Sequence, residues 1–92
     1  MLTFKGSVQF VKDEHRDLPV KDKDGNPTGQ MKDHRFVEIM MLIPQPDKTQ
    51  RVIVVKGFDT KITCPKIGDI WETPEVRRYD AYSEACPVVM IG

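Results

Sequence analysis

The chain has no surplus of either charge and few of the residues that catalysis draws on. Its 92 residues carry 14 Lys and Arg against 14 Asp and Glu, a formal net charge of zero. That balance excludes a uniformly basic nucleic-acid binder but not a locally basic groove, because binding depends on where charges sit. Cysteine occurs twice, as Cys64 and Cys86, far apart and outside any CxxC spacing. Neither a zinc site nor a disulfide framework follows, and both are expected as buried, reduced thiols of a cytoplasmic protein. The two histidines, His15 and His34, sit among mixed charges. They are expected as solvated surface groups, with phosphate contact as the alternative.

Ser7 and Ser83 have no nearby histidine and no glycine elbow, so no nucleophilic triad is indicated. There is no GxxxxGK[ST] and no GxGxxG. Asp22-Lys-Asp24-Gly25 lacks the third oxygen ligand and the closing glutamate of a calcium loop. No catalytic residue, metal or cofactor is therefore expected. No apolar run approaches the roughly 18 residues of a membrane helix. The opening MLTFKGSVQF carries Lys5 inside its apolar run and no small-residue cleavage site, so it reads as a strand rather than a signal peptide.

What the chain does have is strand pattern. Its length fits one domain, residues 1–92, with a core small enough that barrel closure or dimerisation would help it. Leu2, Phe4, Val8 and Phe10 share a face at period two, with Gly6 marking a bulge or bend. The charged run Lys12 to Asp17 is expected to end this strand. Asp24-Gly25-Asn26-Pro27 is a strong turn signal. Arg35 to Ile43 is apolar on both faces, so it is a central strand or lies at a subunit contact. Gln50 to Phe58 is a β-branched strand, Asp69 to Tyr82 an extended stretch interrupted by Pro74, and Val88 to Ile91 a closing strand. No helical period stands out. Five short-linked strands suggest a small all-β barrel or sandwich, with residues 16–34 projecting as a charged β-hairpin wing.

Binding of single-stranded nucleic acid needs cations to follow phosphates and flat side chains on which bases stack. The cations on offer include Arg16, Lys21, Lys23, Lys32, Arg35, Lys56, Arg77 and Arg78. Arg77-Arg78 precedes Tyr79, with Arg78 and Tyr82 on one face and Arg77 and Tyr79 on the other, so each face pairs a cation with a ring. Phe36, at the wing base, either meets bases or anchors the wing. Phe4, Phe10, Phe58 and Trp71 are expected to fill the core. The reading requires that the fold sort its balanced charges so that cations line one channel beside exposed rings.

The order of strand, charged wing with a Gly-x-Pro turn, long apolar strand, V-V-K strand, Pro/Gly loop and final strand pair resembles the small helix-destabilising single-stranded-DNA-binding proteins of filamentous bacteriophages. The resemblance covers nearly the whole chain, as pattern more than identity. It is best at Lys23-Asp24-Gly25-Asn26-Pro27 and the strand through Glu38. It implies a five-stranded, antiparallel, OB-like barrel, a two-fold homodimer, and cooperative, sequence-tolerant coating of unpaired DNA during replication. It also implies phosphate contacts at Lys23, Lys56 and Arg16. Thr28 stands where the family has a tyrosine after the turn proline, so stacking would fall to Phe36 or Tyr79. The rival expectation is a small β-barrel interaction module that pairs with a protein partner through an exposed strand edge.

Overall fold

The computed structural model describes residues 2–80 and 87–92. Six strands follow one another: β1 (Lys5–Lys21), β2 (Pro27–Pro44), β3 (Gln50–Phe58), β4 (Ile70–Glu72), β5 (Val76–Asp80) and β6 (Val88–Ile91). They form one curled sheet in the order β4-β1-β2-β3-β6-β5, a half-barrel. The described residues hold no helix, and none therefore that could cross a membrane. The all-β expectation holds, but the strand count is six rather than five. Moreover, β3 and β6 pair in parallel, so the sheet is mixed rather than antiparallel.

The extra strand comes from Pro74. Without an N–H it cannot continue a ladder, and the stretch splits into β4, paired with β1, and β5, paired with β6. Those two pieces are the sheet's opposite edges. The N-terminal segment ties them together: the Thr73 N–H donates to the Phe4 carbonyl and the Val76 N–H to the Leu2 carbonyl, each at 2.8 Å.

The Lys12–Asp17 run does not end β1. It pairs residue by residue with β2 out to Pro19↔Met31, because ladder hydrogen bonds are made by the backbone whatever the side chains carry. β3 leaves β2 at Phe36↔Phe58, so the hairpin beyond that row stands alone as the wing. This gives the molecule its 53 Å length against widths of 26 and 22 Å. The tip turns at Asp22–Gly25, where the Gly25 N–H donates to the Asp22 carbonyl at 3.0 Å and φ of Gly25 is +81°. The Asp22 carboxylate takes the N–H groups of Asp24 and Asn26, both at 2.9 Å.

A bulge at Gln9, between Val8↔Met41 and Phe10↔Met40, reverses the side-chain alternation of β1. Val8 is fully buried while Phe10 is 42% exposed on the other face. The shared face expected for Val8 and Phe10 is therefore broken. Gly6 has a different reason: a Cβ there would run into the Leu42 carbonyl, so only glycine lets β1 approach β2 so closely.

The core lies on one side of the sheet. Val8, Val37, Ile39, Met41, Ile53, Val55, Val89 and Ile91 are buried there, with Phe4, Ile62 and Trp71 packed against them. Trp71 and Phe4 meet the core expectation. Phe10 and Phe58 do not: at 42% and 47% exposure both lie on the opposite, open face.

Candidate functional site

The open face is set by register. Phe36 stands between Glu14 on β1 and Phe58 on β3, and one row along Glu38 stands between Lys12 and Lys56. One row the other way, at the wing base, Arg16 faces His34. Cross-strand partners project to the same side, so these rows make a single surface. They enclose a groove of about 340 Å³ lined by Lys12, Glu14, Arg16, Phe36, Glu38, Lys56, Phe58 and Met90, with backbone floor at Val37 and Gly57.

Its centre is a continuous contact of flat groups. The Arg16 guanidinium lies 5.3 Å from the Phe36 ring centroid. Phe36 meets Phe58 edge-on at 5.2 Å, and Phe58 stacks on His34 at 5.0 Å with planes 23° apart. Half-exposed Phe58 and half-buried Phe36 thus present ring surface to solvent beside cations.

Both signs of charge line the groove. Glu14 accepts from Arg16 at 2.7 Å and from Lys12 at 3.3 Å. Those two cations, Arg16 first, hold its carboxyl below the usual carboxylate range. Glu38 is the cross-strand partner of Lys56. A channel lined by cations alone is therefore not what the sheet builds. The lining is three basic groups interleaved with two carboxylates around a ring platform.

The sequence-selected residues divide by location. Arg16, Phe36 and Lys56 meet in the groove. Arg78 is the register partner of Met90 at its border. Lys32 is the partner of Leu18 one row out along the wing, and Lys21 and Lys23 are exposed at its tip. Arg77 occupies the bulge in β5, packed against Gly92. Tyr79 points away from the groove: it stacks on Phe4 at 6.1 Å and accepts from the Arg51 guanidinium at 3.3 Å. Tyr82 and Cys86 lie outside the described residues.

Arg35 is committed elsewhere. It projects to the core side, where Nε and Nη2 grip Asp13 at 2.9 and 2.8 Å. Nη1 donates to the Thr60 and Ile62 carbonyls at 2.9 Å each, and Nη2 also reaches Cys64 Sγ at 3.4 Å. Guanidinium has five N–H groups, and all five are used in stapling the chain after β3 to the wing base. Asp13 is held below its ordinary range chiefly by this bond, and burial pushes the Cys64 thiol up, away from reactivity.

Sequence reasoning put Phe58 and Phe10 in the core rather than on this face, and gave His34 a phosphate contact only as the alternative to a solvated role. Phe58 was reachable, because it shares the period-two face of Val52, Val54 and Lys56. Phe10 was not, since nothing in the residues announces the bulge at Gln9. Comparison of the chain with protein-family models, curated proteins and solved structures found no match.

Proposed function

We propose that this protein binds single-stranded nucleic acid, DNA foremost, with little sequence preference, through the groove at the wing base. The observation that carries the reading is the row Arg16, Phe36, Phe58 and His34 on an open sheet face. Every base has a π face, so a ring platform beside cations accepts any sequence. Arg16, Lys12 and Lys56 are positioned for phosphates, and Lys32, Lys21 and Lys23 extend the path along the wing. Glu14 and Glu38 limit the electrostatic share, so stacking supplies most of the affinity. A duplex hides its bases, and preference for the open strand then coats and protects it. On this reading the curled six-stranded sheet is an OB-like barrel variant, and the protein is not an enzyme.

Fluorescence anisotropy with oligo-dT and a matched duplex tests this. Tighter binding to the single strand is expected. Phe58→Ala should lose about 1–3 kcal/mol of binding, the value of one base stack. The salt slope should be about −1.4 to −2.1, from two or three phosphates at about −0.7 each, and Lys23→Ala should remove about one such step. Equal affinity for duplex together with no loss in Phe58→Ala would overturn the reading.

A second reading is favoured by the rest of the open face. Phe10 is exposed there, half-buried Met40 is its cross-strand partner, and half-buried Val88 and Met90 lie two strands further along the same face. A second copy seated on that apolar band would make the homodimer, and sedimentation of Phe10→Glu against wild type reads it directly.

A further inference from the structure

We infer that His34, at the wing base beside this groove with 17% of its side chain exposed, is a phosphate-binding residue that acts in its imidazolium form, so that binding takes up a proton; this rests on the single-strand reading above. His34 Nδ1 lies 2.6 Å from Asp59 Oδ2. Asp59 is a fixed, ionised partner. Its other oxygen takes the Arg35 backbone N–H at 2.8 Å, and its own N–H donates to the Arg35 carbonyl at 2.8 Å. That backbone bond, and then His34 itself, keep the Asp59 carboxyl below the usual range. A carboxylate only accepts, so Nδ1 carries its hydrogen in both charge states of the ring. Stacking on Phe58 fixes the ring plane.

Protonation therefore changes Nε2 alone. In the neutral ring it is a lone pair that repels a phosphate oxygen; in the imidazolium it is a charged donor. The charged groups facing His34 are Arg16 and Glu14 from β1, Lys32 from its own strand, Lys56 one row past Phe58, and Asp59. Glu14 is already engaged by Arg16 and Lys12. A charged His34 stands beside its cross-strand partner Arg16, and a phosphate placed across the two relieves their repulsion. Phosphate and proton thus favour each other, and affinity rises as pH falls through the imidazole range of about 5 to 8.

The other histidine is a built-in control. His15 projects to the opposite side of the wing, 2.9 Å from Asp33. The experiment is a labelled oligo-dT titration of the full chain at constant ionic strength from pH 8 to 5.5. Wild type should tighten by about three- to tenfold in all, well inside the roughly tenfold per pH unit that uptake of one proton allows. His34→Asn should bind more weakly than wild type even at pH 8, because the ring stacked on Phe58 is lost, and should show no tightening toward pH 5.5, whereas His15→Gln should keep the wild-type dependence. On wild type itself, the NMR titration midpoint of the His34 ring should move upward when the oligomer is bound. A persistent pH dependence in His34→Asn, or an unmoved midpoint, overturns the inference while leaving dT binding intact. Absence of dT binding at every pH overturns the single-strand reading and this inference with it.

Discussion

The two sides of β2 are written in one strand and do opposite things. Val37, Ile39 and Met41 are 3% exposed or less, whereas their neighbours Phe36, Glu38 and Met40 are only half-buried. Met41 and Met40 are the same residue, yet one is fully buried and the other half-buried, so side-chain type alone does not set the contrast. What sets it is coverage: Phe4, Ile62, Trp71 and the curl of the sheet lie over one side. The other side keeps an open groove. An apolar strand with two apolar faces thus needs only one layer to fold, and its second face stays open.

The sharpest way to break the contrast is to delete the same kind of bulk from each side. Ile39→Ala should cost about 2–5 kcal/mol, since a fully buried side chain leaves a cavity. Met40→Ala, one residue along, should cost less than about 1.5 kcal/mol because the open face lets solvent replace what is removed. Urea denaturation of the two variants reads the difference. Equal losses would show that the open face is covered in solution, which is what a stable dimer seated there predicts.

Arginines give the next comparison. Arg35 and Arg16 lie on adjoining strands at the wing base and were equivalent as sequence, two basic residues flanking a charged turn. Arg35→Ala strands two backbone carbonyls and Asp13 without their donors and should cost about 2–3 kcal/mol of stability. Binding per folded molecule should hold. Arg16→Ala should do the reverse. Its ion pair with Glu14 is exposed and screened by water, so stability should barely change, while oligo-dT affinity should fall several-fold with loss of the cation over Phe36. If Arg35→Ala weakened binding without touching the melting temperature, the division of labour between the two sides would be wrong.

Much of this architecture was legible and some was not, for identifiable reasons. β3 and β6 have the bounds the sequence implies, because Gln50–Phe58 and Val88–Ile91 are β-branched runs closed by turn residues. The wing was legible from Gly25 and Pro27. That Val37, Ile39 and Met41 share one side of β2 followed from alternation, but that this side would be the buried one did not, since both sides are mostly apolar. The bulge at Gln9 was invisible, and it moved Phe10 out of the core. The splitting of β4 from β5 was visible at Pro74, but the parallel β3–β6 pair was not, because it depends on where a distant segment returns. Of the residues that line the groove, Arg16, Phe36 and Lys56 could be picked out from residue type. Arg35 was misassigned because no local signal tells a guanidinium that faces solvent from one that five acceptors enclose.

The finest test uses two adjacent carboxylates on β1 that point to opposite sides. Asp13 is held below its ordinary range first by its bond to Arg35, Glu14 first by its bond to Arg16. A carboxyl whose folded pKa is depressed contributes stability in full above its unfolded value, about 3.9 for aspartate. That contribution is lost as pH falls through the lower folded value. The melting temperature should therefore decline below about pH 4, and Asp13→Asn should start lower and decline less steeply. Glu14→Gln should leave that profile almost unchanged, because water screens its exposed pairs. Its effect should appear in binding instead: removing one of the groove's two carboxylates raises oligo-dT affinity at neutral pH and steepens the salt slope. A Glu14→Gln variant that binds more weakly would mean that the carboxylate is needed to hold Arg16 over Phe36, and that the platform depends on geometry more than on charge.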